Sequence, residues 1–154
     1  MLADFYTLPE ESRIWIYAAE NILSKDNQNY IINFISEDLK VWNAHKQPLT
    51  AGITILESHF IIIALDESKH SASGCSIDKL QNSIKKIEKE LSISLMNRLN
   101  IFCKIEGKVI CVPSFKLVNI AQPETYFYDL TIFRKSDLST YLKPISEGWC
   151  ANLV

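Results

Sequence analysis

The unbroken apolar run Phe60-Ile61-Ile62-Ile63-Ala64-Leu65 constrains this chain more than any other feature. With no polar residue to turn towards water on either side, it predicts a central strand buried on both faces. The next stretch, Asp66 to Lys79, reads D-E-S-K-H-S-A-S-G-C-S-I-D-K and packs small, polar and reactive residues between that strand and a helix. The helix is signalled by Ile77, Leu80, Ile84, Ile87 and Leu91, whose spacings of three and four make one apolar stripe. Lys79, Gln81, Lys85, Lys86, Glu88 and Lys89 fall on its other faces, where a solvated surface is expected.

The remaining elements follow from the same periodicities. Arg13 to Ala18 alternates aromatic and β-branched residues around Trp15 and reads as a strand. From about Asp26 to Trp42, the residues Ile31, Phe34, Ile35, Leu39 and Trp42 share one helical face, with Ser24 or Asp26 as the cap. Leu49 to Glu57 is a second strand that turns at Ser58-His59 into the buried one, leaving His59 facing solvent. Asn100 to Ile105 and Lys108 to Val112 form a hairpin about Glu106-Gly107-Lys108, ended by Pro113, with Cys103 and Cys111 facing each other. Farther on, Tyr126 to Phe133 reads as a strand and Asp137 to Leu142 as a short helix capped by Ser136, and Trp149 is expected to pack back onto the body.

Strand, helix, strand, strand, helix, strand is the order of an α+β, ferredoxin-like split βαβ sheet with two helices on one face, here with an extra C-terminal hairpin or strand. Another open α/β sandwich is the alternative. No linker, repeat or low-complexity segment interrupts the 154 residues, so a single domain over 1–154 is expected, and 47% hydrophobic residues suffice for its core.

Charge and composition remove several classes of function. A formal net charge of −2, without a Lys/Arg stripe, gives no means of displacing counterions from nucleic acid. No stretch approaches a membrane span, and M-L-A-D-F-Y-T-L-P-E-E is not a signal peptide, so the expected location is cytoplasmic. The four cysteines, Cys75, Cys103, Cys111 and Cys150, lack C-x-x-C spacing and read as reduced, with no structural zinc and no other metal or cofactor implied.

Within 66–79, Ser73 or Ser76 can cap the helix, Asp78 places negative charge in its first turn, and Gly74 permits a backbone geometry that other residues resist. Cys75 then sits at the helix N-terminus, where free amides and the helix dipole favour a thiolate, or alternatively hold a phosphate or carboxylate. A plain capped turn accounts for the same residues. His45, after the first long helix, is a candidate base for Cys75, with Asp66 or Asp78 to orient it, and equally suits a helix C-terminus as a simple cation. Arg13 beside Trp15 either clamps an anion or pairs with Asp66 or Glu67. His70 in Asp66-Glu67-Ser68-Lys69-His70 lacks the partner histidine of a zincin helix.

Arg13-Ile14-Trp15-Ile16-Tyr17, Trp42-x-Ala44-His45 with Leu49-x-Ala51, and Asp66-Glu67 leading to Ala72-Ser73-Gly74-Cys75-Ser76-Ile77-Asp78-Lys79 together resemble a family of small bacterial proteins of uncharacterised activity. The likeness covers roughly the first hundred residues, and many members carry the label "ABC transporter ATPase". That label requires G-x-x-x-x-G-K-[ST] to wrap phosphates and magnesium. Gly52, Gly74, Gly107 and Gly148 are too far apart to supply it, so an ATPase is rejected here.

Two functions remain. The first is a non-catalytic binding or assembly domain that uses an exposed sheet edge, or a small-ligand and anion site at Arg13, Asp66, Glu67, Ser73, Gly74 and Ser76, to hold a protein partner, a second copy in a homodimer, or an anion. The second is a thiol-dependent enzyme or redox sensor, with Cys75 as nucleophile and His45 as base.

Overall fold

The computed structural model describes residues 1–154, in the order β1 (Arg13–Ala18), α1 (Lys25–Lys40), β2 (Asn43–Ala44), β3 (Gln47–Pro48), β4 (Thr50–Leu56), β5 (Phe60–Asp66), α2 (Gly74–Leu91), β6 (Asn100–Ile105), β7 (Lys108–Pro113), α3 (Leu117–Ile120), β8 (Tyr126–Tyr128) and β9 (Leu142–Pro144). The architecture is mixed α+β with three antiparallel sheets. Two compact units arise: Met1–Leu95 with the returning segment Phe133–Ser136, and Met96–Ile132 with Asp137–Val154.

The first unit is organised by β5. Its sheet order is β1-β5-β4, so the third long strand is inserted between the first two. Phe60 through Leu65 are all fully buried, as a strand with apolar residues on both faces requires. The register sets Trp15 opposite Ile63, and Ile63 opposite Ile53, across one layer of the sheet. α1 packs against β4 and α2 through Ile31, Ile35 and Leu39 on its buried face, and α2 buries Leu80, Ile84 and Ile87.

Both outer edges of this sheet are covered in part, because unpaired strand amides are costly and the chain supplies some of its own partners. Met1 to Ala3 run along β4, with the Ala3 amide donating to Ala51 O at 2.8 Å and the Ala51 amide to Met1 O at 3.0 Å. Along β1, Ile14 donates to Phe133 O at 2.9 Å, Lys135 donates to Ser12 O at 2.8 Å, and at the far end Ala18 donates to Leu95 O at 3.1 Å. Gly52 makes the first of these contacts feasible. A Cβ there would lie 2.5 Å from Ala3 O and 2.9 Å from Phe5 N, both backbone atoms.

The strand after α2 does not join β1. β6 instead lies in a four-stranded antiparallel sheet of order β7-β6-β8-β9 within the second unit. The hairpin turn forms as expected, with positive φ at Glu106 and Gly107, but its two-residue length fixes the register as Cys103 opposite Ile110 and Phe102 opposite Cys111. Cys103 and Cys111 are therefore one position out of step and on opposite faces of the sheet, which corrects the expected pairing. Other corrections are local. β8 ends at Tyr128, and the span expected as a capped helix is a 3-10 turn over Lys135–Thr140 that contains Ser136. Trp149 is 49% exposed. His59 is only 5% exposed, since positive φ at Glu57 and Ser58 turns the chain early and directs the imidazole inward, where Nδ1 meets Glu57 O at 2.9 Å.

Asp129 anchors the segment after β8. Burial works to raise its pKa, but the Thr131 hydroxyl and amide and the Lys143 ammonium, 3.1 Å away, favour the charged form, and the net shift is downward. A depressed carboxyl contributes stability that is present above its unfolded pKa and is lost as pH falls through the lower folded value. Stability should accordingly decline as pH drops below the ordinary value of 3.8, and Asp129→Asn should flatten that acid limb in urea titrations at successive pH values.

Gly52→Ala should cost about 1–3 kcal/mol in chemical denaturation, because only backbone can yield. Gly74→Ala, where a Cβ meets nothing within 4 Å, should be neutral or stabilising by up to about 1 kcal/mol.

Candidate functional site

β1 alternates its side chains, so Arg13 and Trp15 emerge on the same face of the sheet. The returning segment 133–136, held by its backbone bonds to β1, brings Phe133 to that point. Lys135 pins the segment from the other side. Its buried ammonium donates to Leu8 O at 2.8 Å and Tyr6 O at 3.3 Å, lies 3.6 Å from Glu10 and approaches the Phe5 ring.

The guanidinium carbon of Arg13 consequently lies 4.6 Å from the Trp15 ring centroid and 4.9 Å from that of Phe133. No carboxylate or carbonyl accepts from it, and its Nε is buried without a partner. Arg13 thus does not pair with Asp66 or Glu67. Glu67 is instead 3.9 Å from Arg134 Nη1, and Arg134 also donates to Glu11 O at 3.0 Å and lies over the Phe133 ring at 4.7 Å. Two guanidinium groups therefore share one aromatic ring, and one of the two has no hydrogen-bond acceptor.

The loop from Asp66 to Ser76 is held by local bonds. Asp66 accepts from the Ser68 amide at 2.9 Å, and Glu67 Oε2 accepts from the Ala72 amide at 3.3 Å. Ser73 is the cap of α2. Its hydroxyl accepts from the Ser76 amide at 3.1 Å while the Ser76 hydroxyl accepts from the Ser73 amide at 2.7 Å, a reciprocal capping box. Both serines are occupied by this arrangement and are not free ligand groups. Gly74, the first helical residue, has ordinary helical backbone and not the special conformation expected of it. Its amide and that of Cys75 are the first-turn donors left without an acceptor.

Trp42 connects the loop to the arginine cluster. Its indole Nε1 donates to Ser76 O at 2.8 Å, and its ring meets Trp15 edge-on at 5.8 Å. The structure therefore brings Arg13, Trp15 and Glu67 together with Phe133 and Arg134, two residues that the sequence reading missed. No local signal marks them, because Phe133-Arg134 lies 120 positions from Arg13 and reaches it only through the return along β1.

Cys75 and His45 are not joined. Cys75 is exposed in the first turn of α2, whereas His45 is exposed in the tight β2–β3 turn with φ 49°, and no hydrogen bond links the two. The other thiols differ in character. Burial, with Cys150 and Cys111 nearby, pushes Cys103 up to about 11, and burial also raises Cys150. Comparison with family models, with characterised proteins and with solved structures finds no match.

At pH 8, iodoacetamide should label Cys75 at the rate of an exposed thiol and Cys103 about 100-fold more slowly, since a rise of two pH units in pKa lowers the thiolate fraction by that factor. Peptide mass spectrometry of the native protein reads the sites, and equal rates would contradict the buried environment of Cys103.

Proposed function

We propose that this chain is a non-catalytic binding domain whose ligand is a small oxyanion, carboxylate or phosphate, taken by Arg13 beside the 66–79 loop. The carrying observation is a half-buried guanidinium that two aromatic rings position but no acceptor satisfies. Aromatic contact engages the π face of a guanidinium and leaves its in-plane N–H groups for an anion approaching edge-on. Charge-assisted, bidentate bonds of that kind are the strong ones. Arg134 adds positive charge on the same ring, partly offset by Glu67. The open amides of Gly74 and Cys75 are further donors on the loop's helical side.

In this reading the first unit is a ferredoxin-like half whose fourth-strand position is filled by the returning segment 133–136. The protein belongs with the small bacterial family that its β1, Trp42 and Ser73–Lys79 blocks resemble, and it works in the cytoplasm. A thiol mechanism is the weaker reading, because Cys75 has no base within hydrogen-bonding reach to activate it.

Titration with inorganic phosphate, followed by tryptophan fluorescence through Trp15, tests the reading. Arg13→Ala should weaken binding at least about tenfold, the loss of one charge-assisted bond. Arg13→Lys should recover only part of it, since an ammonium cannot bind bidentately. Cys75→Ala should bind as the parent does. Equal affinity in the parent and Arg13→Ala would overturn the assignment.

A further inference from the structure

A second site lies between the end of α1 and the first turns of α2. There a cavity of about 280 Å³ is lined by Leu39, Val41, Trp42 and Leu80 as its apolar surface, and by Lys79 and Lys86 as its cationic one. Leu39, Trp42 and Leu80 are buried, whereas Val41 is 74% exposed, so an apolar surface continues from the cavity towards solvent. The Trp42 N–H is already given to Ser76 O, which leaves only the carbon surface of the indole to a ligand.

Part of the polar lining is satisfied within the chain. Asp38 accepts from the Ser83 hydroxyl, and Asn43 donates to Val41 O. The ammonium groups of Lys79 and Lys86 make no ion pair or hydrogen bond, although the Lys79 carbonyl accepts from the Ser83 hydroxyl at 3.1 Å. They stand seven residues apart on α2, two turns and roughly 10 Å along the axis, on the same side of the helix. Two lysines against the single carboxylate of Asp38 leave the lining with one net positive charge.

The geometry points to a binding site for a small amphipathic carboxylate, its apolar body on Leu39, Leu80 and Trp42 and its carboxylate between Lys79 and Lys86. A cavity of this size is at the small end of those that hold ligands, which favours a short-chain or single-ring acid over a larger cofactor. The site is separate from Arg13 and stands or falls independently of it. Trp42 lines this cavity and also touches Trp15, so occupancy here has a direct contact route to the aromatic cluster.

Octanoate, titrated into the whole protein and followed by amide NMR, is the test, with octanol as the uncharged control. Saturable shifts are expected at Leu39, Val41, Trp42 and Leu80. The Lys79→Gln/Lys86→Gln double variant, altered only at exposed positions, should bind octanoate about fivefold more weakly and octanol unchanged, consistent with two solvent-screened charge contacts. Arg13→Ala should leave octanoate binding intact. Absence of saturable shifts, equal octanoate affinity in the double variant, or loss of binding in Arg13→Ala would overturn the proposal.

Discussion

The hydrogen bond from the Trp42 indole to Ser76 O, 2.8 Å long and buried, is the constraint on which the candidate site depends. It ties the exit of α1 to the first turn of α2 and holds the indole against Trp15 at 5.8 Å. A buried indole N–H must find an acceptor, and the first-turn carbonyl of a capped helix is a rigid one. The capping box of Ser73 and Ser76 fixes where that carbonyl points. Cap, indole and the aromatic on β1 therefore form one connected series, and Arg13 stands at its end.

The other support of Arg13 comes from a distant part of the chain. Segment 133–136 pairs with the start of β1 by backbone bonds and places Phe133 on the guanidinium. Burying the ammonium of Lys135 beneath it is costly in isolation, and carbonyls from Tyr6 and Leu8 offset that cost. β6 forms its own sheet with β7, β8 and β9.

Much of this was legible in the sequence wherever the signal was local. The run at 60–65 reported burial on both faces, the stripes ending at Trp42 and Leu91 reported helix faces, and Ser73 reported a cap, because each depends on neighbours within a turn or a strand. Loop residues were harder to read. Ser73 and Ser76 looked like ligand groups, yet they serve each other, since a serine hydroxyl meets local backbone amides more readily than a distant ligand. Arg13 was recognised, but its neighbours Phe133 and Arg134 could not be, for nothing in 126–142 announces a chain that leaves a strand after three residues and returns to the other unit. His59 was misjudged for a related reason, as two residues of left-handed turn before it rotate the imidazole from solvent into the core.

On the proposed function, the open guanidinium of Arg13 is the group that takes the anion. The chain has three arginines, Arg13, Arg98 and Arg134, so each side-chain Nε–H resonance is assignable by single substitution. The most direct measurement is the two-dimensional Nε–H spectrum of the protein during addition of inorganic phosphate. A saturable shift of the Arg13 resonance, larger than those of Arg98 and Arg134, is the predicted result. An Arg13 resonance that stays in place while phosphate moves the others, or moves none of them, would contradict an anion site at Arg13.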